Sequence, residues 1–161
     1  MKEETACFGA GCFWGVELLF SKTKGVISTK AGYMGGDEKK YPNPNYEEVC
    51  TDETGYAEVV EIKYDSDKIG YEDLLKIFFE NHNPTILNRQ GPDLGTQYRS
   101  VVFFYDNEQE KLAEKIKKEY QKMIGNEKVI VTQIIRASKF YPAEEYHQKY
   151  LEKKGIESCH I

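Results

Sequence analysis

The sequence predicts an α+β fold built on a ferredoxin-like order of elements. Segments in which apolar residues alternate with period two, and segments with helical spacing, follow one another as β-α-β-β-α-β, which is the split βαβ pattern. Further α and β elements follow this core towards the C-terminus. The chain of 161 residues has the length of one ordinary domain, so we expect a single domain over residues 1–161, with a short polar tail from about residue 151.

The first three strands and the first helix are marked by periodicity and by glycine. Residues 4–9 are expected to form a strand that ends in small residues, and a helix is expected to begin at about Cys12 and to stop before Gly25. Residues 26–33 form the second expected strand. Residues 58–64 form the third, because their side chains alternate cleanly between apolar and polar.

The second half adds longer helices and two more strands. Residues 71–81 are expected to be helical, and residues 98–105 to be a central strand covered on both sides, because that segment has no polar face beyond its start. Residues 107–124 predict a helix, residues 129–135 a strand and residues 143–150 a short helix. The helix over 107–124 carries one apolar stripe, which consists of Leu112, Ile116, Tyr120, Met123 and Ile124.

Two connections are longer than loops in compact domains usually are. Met34–Gly55 has 22 residues and Asn81–Gln97 has 17. Both contain proline, glycine and apolar or aromatic side chains, and loops of this length are commonly functional. We therefore expect them to be ordered and to form a site.

Composition excludes several classes of function. The net charge is −5 and no block of consecutive basic residues occurs, which argues against a nucleic-acid surface. No apolar run approaches the roughly 18 residues of a membrane span, and Met1–Thr5 lacks the apolar core of a signal peptide. Four cysteines without a Cys-x-x-Cys pair favour free thiols over a disulfide scaffold or a zinc site. We expect a cytoplasmic protein that is monomeric and has no nucleic-acid or membrane partner.

Cys12 is the first candidate for catalysis. It falls where a strand passes through small residues into a helix, and the unpaired N–H groups of a helix N-terminus stabilise an anion. This position predicts a lowered thiol pKa and a nucleophile. Phe13 and Trp14, which follow, suggest an apolar wall. The alternative is that Cys12 is a small buried residue and that Trp14 belongs to the core.

Glu58 is the second candidate, because the alternation of its strand turns it inward. Glu58 shares a face with Val60 and Ile62, whereas Glu61 and Lys63 lie opposite. Burial raises a carboxyl pKa, and an acid that stays protonated near neutral pH can donate a proton. The alternative is that Glu58 lies at a frayed strand end and reaches solvent.

Four segments, taken together and in order, resemble the peptide methionine sulfoxide reductase A family. The resemblance runs from about Ala6 to Tyr150. Its motifs are Gly11-Cys12-Phe13-Trp14-Gly15, Pro42-Asn43-Pro44-Asn45-Tyr46, Gly55-Tyr56-Ala57-Glu58 and Gly95-Thr96-Gln97-Tyr98-Arg99-Ser100. It implies a two-layer α/β sandwich with a mixed sheet and no metal or organic cofactor.

The resemblance also implies an activity and a set of site residues. The substrate would be the S-epimer of methionine sulfoxide, free or in proteins. Cys12 would attack the sulfoxide sulfur, Glu58 would donate a proton, and Tyr46 and Tyr98 would donate hydrogen bonds. The remaining family positions are Phe13 and Trp14, which would hold the substrate methyl group, and Asp93, which would lie near the site.

The second half of the implied reaction needs another thiol. Cys12 would become a sulfenic acid, which condenses to a disulfide that thioredoxin or another thiol reductant reduces. Cys159 in the tail is the first choice as the resolving thiol and Cys50 the second, and an external thiol is a further alternative. Cys7 lies in an apolar strand and is expected to be inert. Tyr56 departs from the family, which usually has histidine there.

Two other classes of function remain as alternatives. A cysteine hydrolase would pair Cys12 with His82 or His147 as its base. A ferredoxin-like binding module would use the aromatic pocket without chemistry, and its function would survive replacement of Cys12.

Overall fold

The computed structural model describes residues 1–156 of the chain. The strands are β1 (Glu3–Ala10), β2 (Val26–Met34), β3 (Ala57–Asp65), β4 (Arg89–Gln90), β5 (Asp93–Leu94), β6 (Ser100–Phe104), β7 (Gln133–Arg136) and β8 (Tyr141–Pro142). The helices are α1 (Phe13–Ser21), α2 (Tyr46–Cys50), α3 (Tyr71–Glu80), α4 (Asn107–Ile124) and α5 (Tyr150–Lys153). Single 3-10 turns occupy Thr96–Tyr98 and Glu145–His147.

The sheet has the strand order expected for a ferredoxin-like core. Its six strands lie in the order β7-β6-β1-β3-β2-β8. The central four are mutually antiparallel, and β7 pairs parallel to β6, so the sheet is mixed. The predicted α+β class is confirmed. None of the helices within residues 1–156 is long and apolar enough to cross a bilayer.

The main core lies between one face of the sheet and the helices α1, α3 and α4. Phe8 on β1 is fully buried in this core. Its ring packs against the rings of Phe20, Tyr71 and Phe78, at centroid distances of 5.6, 6.0 and 5.0 Å. Burying one such side chain contributes about 1.5–3 kcal/mol. These contacts fix α1 and α3 on β1, the strand that precedes Cys12.

The fourth and fifth predicted strands are shorter than expected. Residues 98–105 were predicted as one strand, but Tyr98 closes a 3-10 turn and β6 begins at Ser100. Its five residues are all buried between β1 and β7, as predicted. The strand predicted from residue 129 begins at Gln133, because the N–H of Ile130 donates to the Gln121 side chain and that of Val131 to the carbonyl of Pro84.

The helix predicted over 143–150 is wrong. Residues 141–150 form an irregular segment, the C-terminal strap, in which β8 and a 3-10 turn precede α5. The Gln148 side chain replaces helical hydrogen bonds by bonding both the N–H and the carbonyl of Ala31. Lys149 has a φ of 54°, in the left-handed region, which interrupts any continuous helix. Residue 151, where the polar tail was expected to begin, lies within α5.

The apolar stripe predicted on α4 is buried only in part. The helix buries Gln109, Ala113 and Ile116, whereas Met123 is 74 % exposed and Ile124 is also exposed. Tyr120 already hydrogen-bonds Glu80, the last residue of α3. The residues of α4 that follow Tyr120 therefore extend beyond the end of α3.

The two long connections, which the sequence predicts to be ordered loops, also contain secondary structure that the sequence did not predict. The first carries α2, whose N-terminus is closed by a capping box between Asn45 and Glu48. The second carries the β4–β5 hairpin. The Asp52 carboxylate joins the two connections by accepting hydrogen bonds from the N–H and hydroxyl of Thr96.

Candidate active site

Cys12 lies between the end of β1 and the first residue of α1. Gly11 has a φ of 99°, which only glycine adopts without strain, and it lets the chain turn from the strand into the helix. The carbonyl of Cys12 accepts a hydrogen bond from Val16, so Cys12 is the N-cap residue of the helix. Its side chain is half-buried. This is the position that the sequence predicts.

The predicted lowering of the Cys12 pKa is wrong. Burial raises the pKa of this thiol to about 12, and the charge of Glu58 raises it further, with a smaller contribution from Asp93. The N–H groups of Trp14 and Gly15 lower it, as expected for a helix N-terminus, but they do not compensate. Two backbone donors cannot offset removal from water next to a carboxylate. The thiol is therefore protonated in the substrate-free protein.

Glu58 projects from β3 towards Cys12, close enough for its charge to act on the thiol. It is only 1 % exposed, so the inward orientation predicted from its strand is confirmed. Its Oε1 accepts a hydrogen bond of 3.2 Å from the N–H of Phe13, and its Oε2 has no partner within residues 1–156. Burial raises the pKa of Glu58 to about 8, the Phe13 bond lowers it and the charge of Asp93 raises it. Most of this carboxyl is therefore protonated at neutral pH.

Tyr46 and Tyr98 bring two phenols to the site from the two long connections. Tyr46 is the first residue of α2 and Tyr98 the last residue of the 3-10 turn. Burial raises the pKa of Tyr98 to about 12, as does the charge of Glu58, while a hydrogen bond with Tyr46 lowers it. Burial also raises the pKa of Tyr46. Both phenols stay protonated and can donate hydrogen bonds.

Aromatic rings form an apolar wall beside Cys12. Phe13 is buried, and its ring centroid lies 5.7 Å from that of Tyr33 and 6.4 Å from that of Tyr46. Trp14 is stacked on Tyr150, with centroids 3.8 Å apart and planes 12° apart. Such a wall holds apolar groups and excludes water.

The C-terminal strap supplies Glu144, which sequence reasoning did not place in the site, and His147, which it considered only as the base of a hydrolase. His147 is 1 % exposed, and its Nδ1 accepts a hydrogen bond of 2.9 Å from the indole N–H of Trp14. The Glu144 carboxylate accepts hydrogen bonds from the hydroxyl of Tyr33 and from the N–H of Tyr46. No periodic pattern marks these residues, because the strap is irregular.

Glu17 fixes the strap to α1. Its buried carboxylate accepts hydrogen bonds from the hydroxyl of Thr29 and from the N–H of Lys149. Lys149 directly precedes Tyr150, the ring stacked on Trp14. The orientation of Trp14 therefore depends on contacts with residues more than 130 positions away.

Neither His82 nor His147 forms a catalytic pair with Cys12. The ring of His82 hydrogen-bonds the carbonyl of Phe78 and the hydroxyl of Ser100, and burial lowers its pKa to about 4. Nε2 of His147 has no hydrogen-bond partner in the part of the chain that the structure describes. The pairing that a cysteine hydrolase requires is thus not formed among these residues.

The other thiols occupy different environments. Cys7 is fully buried in β1 and its pKa is raised, as expected for an inert thiol. Cys50 is exposed at the end of α2 and hydrogen-bonds the side chains of Tyr46 and Gln97, and burial raises its pKa. Cys159 lies outside the described residues.

Tyr56 braces the first long connection. Its hydroxyl donates a hydrogen bond of 2.8 Å to the carbonyl of Tyr41, and its ring packs on Gly36 and, edge-on, on Tyr141. A Cβ on Gly36 would lie 2.4 Å from the Tyr56 ring, so only glycine fits there. Tyr56 therefore stabilises the first long connection rather than contacting Cys12.

The chemistry available to these groups defines a class of protein. A sulfur nucleophile beside a neutral carboxylic acid can attack a polar centre and protonate the atom that departs from it. The aromatic wall limits this chemistry to a centre that carries apolar substituents. The fold and the site together are those of a thiol-dependent enzyme.

Comparison with known proteins identifies the family within this class. Residues 4–161 match the family model for peptide methionine sulfoxide reductase. The chain is 52 % identical to MsrA of Methanothermobacter thermautotrophicus over 158 residues, which covers 98 % of this chain and 92 % of that protein. The chain therefore belongs to the peptide methionine sulfoxide reductase family, and it is an oxidoreductase.

Solved structures agree with this assignment. Reduced Mxr1 from Saccharomyces cerevisiae matches with a TM-score of 0.91 at 39 % identity, covering 99 % of this chain and 90 % of that one. Mxr1 in complex with Trx2 matches with a TM-score of 0.64 at 27 % identity, covering 92 % and 85 %.

Proposed function

We propose that this protein reduces the S-epimer of methionine sulfoxide, free or in proteins, to methionine, and thereby repairs oxidised proteins. The single domain over residues 1–161 carries the whole reaction. The observation that carries this proposal is the pair formed by Cys12 and the buried, mostly neutral Glu58, whose Oε2 has no partner within residues 1–156. Such a carboxylic acid can donate its proton to a sulfoxide oxygen.

The first step transfers oxygen from methionine sulfoxide to Cys12. Glu58 protonates the sulfoxide oxygen while the Cys12 sulfur attacks the sulfoxide sulfur and forms a bond with it, and Glu58 recovers the proton that the thiol loses. The hydroxyl then passes to the Cys12 sulfur as the bond between the two sulfurs and the bond between the substrate sulfur and its oxygen break, so methionine leaves and Cys12 becomes a sulfenic acid. The sulfoxide gains two electrons and the Cys12 sulfur loses two. Because the thiol is protonated at rest, proton exchange with Glu58 is part of the step.

The surrounding residues orient the substrate. Tyr46 and Tyr98 donate hydrogen bonds to the sulfoxide oxygen, and Phe13 and Trp14 hold the methyl group on sulfur. Burial is the main cause of the raised pKa of Glu58, and Asp93 acts through its charge, which raises that pKa further. These assignments rest on burial and on the pKa directions described above.

A second thiol then reduces the sulfenic acid. Cys159 is our first choice, because α5 packs beside Trp14 through Tyr150 and three residues beyond Ile156 span up to about 10 Å. Cys50 is the second choice. It is near Tyr46, but its raised pKa makes it a weaker nucleophile. An external thiol is the third possibility.

Thioredoxin is the proposed reductant of the resulting disulfide. A homologue has been solved in complex with Trx2, and the reaction requires a thiol donor for each turnover. A cytoplasmic location suits a protein that depends on free thiols, and conditions of oxidative stress would supply its substrate. We propose that it works as a monomer.

The stereochemistry of the substrate tests the proposed function directly. With dithiothreitol, we expect the S-epimer of methionine sulfoxide to be converted to methionine and the R-epimer to remain, because one arrangement around sulfur places the oxygen at Glu58 and the methyl group on Trp14. Chiral chromatography of both epimers measures this. Without dithiothreitol, methionine should stop at about one equivalent per enzyme, because each turnover oxidises Cys12. Equal consumption of both epimers would contradict the assignment.

The identity of the resolving thiol is testable by mass spectrometry. After one turnover without reductant, we expect a disulfide between Cys12 and Cys159. The Cys159→Ser variant should lack it, whereas Cys50→Ser should retain it. A Cys12–Cys50 disulfide would instead select Cys50, and a sulfenic acid that persists until a thiol is added would select an external donor.

A further inference from the structure

The segments that bring Tyr46, Asp93 and His147 to the site contain the chain's entire excess of negative charge. These segments are the connection 34–55, the connection 81–97 and the C-terminal strap, residues 141–150. Together they contain nine carboxylates and four basic residues, and the rest of the chain contains eighteen of each. The net charge of −5 therefore arises in the three segments that contribute to the site.

Several of these carboxylates lie next to the residues of the site. Glu47 is exposed and directly follows Tyr46. The pKa of Tyr146 in the strap is raised by burial and by Glu144, and the charge of Glu47 raises it further. Asp93 is close enough for its charge to act on Cys12 and Glu58. We call the group Glu47, Asp52, Glu53, Asp93 and Glu145 the acidic rim.

Two buried polar atoms of the site lack a hydrogen-bond partner among the described residues, which indicates a place for a ligand. Oε2 of Glu58 and Nε2 of His147 are unpartnered in the described chain, and both residues are 99 % buried. Because Nδ1 of His147 accepts from Trp14, the neutral ring has its proton on Nε2, which is then a free donor. Buried donors without partners are rare in folded proteins. A sulfoxide oxygen suits the first of these atoms and a peptide carbonyl the second.

We infer that the acidic rim selects polypeptide substrates in which the methionine sulfoxide is flanked by lysine or arginine. The inference deepens the proposed function and rests on it. With the oxidised side chain in the pocket, the neighbouring residues of the substrate lie over the rim, where exposed carboxylates attract cations and repel anions. The attraction acts on binding and not on the reacting atoms, so it changes KM and leaves kcat unchanged.

The test compares two peptides that differ only in the residues flanking the methionine S-sulfoxide. At low salt, KM for the lysine-flanked peptide should be about three- to tenfold lower than KM for the glutamate-flanked peptide, with equal kcat. At about 1 M salt the difference should vanish, because the screening length falls to about 3 Å. Free methionine S-sulfoxide is the reference. Equal KM values at low salt would overturn the inference, whereas no turnover of any sulfoxide would overturn the proposed function.

A matched pair of variants separates the rim from the net charge. Glu47→Gln with Glu53→Gln removes two exposed charges of the rim, and Glu114→Gln with Glu119→Gln removes two exposed charges from α4. The first variant should reduce the preference for the lysine-flanked peptide, and the second should retain it. An equal loss in both would assign the preference to total charge and overturn the inference. Because Glu47 lies in the first turn of α2, Glu145→Gln serves as a second rim variant outside that helix.

Discussion

Serine in place of Cys12 is expected to abolish the reduction of methionine sulfoxide, with a loss of about 10⁴-fold or more. The reaction needs an atom that gives up two electrons and keeps the sulfoxide oxygen. Sulfur does so as a sulfenic acid, whereas the serine hydroxyl has no comparable product. Assays of methionine release in a single turnover, with the variant in excess over substrate, measure the loss.

The Cys12→Ser variant should still bind substrate. Serine is close in size to cysteine and fits the N-cap position of α1, so the aromatic wall and Glu58 should be undisturbed. Trp14 is the only tryptophan of the chain and lies beside this residue, so its fluorescence reports binding without turnover. Residual activity above about one hundredth of the native rate would show that the nucleophile lies elsewhere and would favour a role in binding alone.

Replacing Glu58 with glutamine is expected to slow methionine release by about 10²–10⁴-fold, the usual contribution of a general acid. Glutamine keeps an oxygen that can accept from the N–H of Phe13, but it cannot give a proton to the sulfoxide. Single-turnover fluorescence of Trp14, with methionine quantified in parallel, separates this step from the later thiol steps.

The pH profile distinguishes proton donation from a structural role of Glu58. Since the folded-state pKa is raised to about 8, the donor is present at neutral pH and is lost as the pH rises through 8. The native single-turnover rate should therefore fall as the pH rises through 8, and the rate of Glu58→Gln should lack this fall. If this variant matched the native rate from neutral to alkaline pH, the assignment of Glu58 as proton donor would be wrong.

The same shift makes the native fold depend on pH. The pKa of Glu58 lies above its ordinary value of 4.5, so the folded state holds this proton more tightly than the unfolded state. The resulting stabilisation is fully present below about pH 4.5 and is lost as the pH rises through 8. In urea titrations, the free energy of unfolding of Glu58→Gln should lack this component.

Local sequence pattern predicted the elements that hold the two central side chains. The small residues before Cys12 end a strand and begin a helix, and the alternation around Glu58 turns its carboxylate inward. Both inferences use neighbours only a few residues away. The ends of helices and strands were less predictable where a side chain forms hydrogen bonds with the backbone of a distant segment. Gln121 bonds the backbone of Ile130 in this way, and Gln148 bonds that of Ala31.

The sequence by itself determined the α+β class, the position of Cys12 at a strand–helix junction and the inward direction of Glu58, because period and glycine placement are local properties. Only the tertiary structure decided that the Cys12 thiol is protonated at rest and that the strap orients Trp14. Both depend on partners distant along the chain: Phe13 meets Glu58 across 45 positions, and Trp14 meets His147 across 133. Burial and the charges of such partners set pKa values, and neither is encoded in a local pattern.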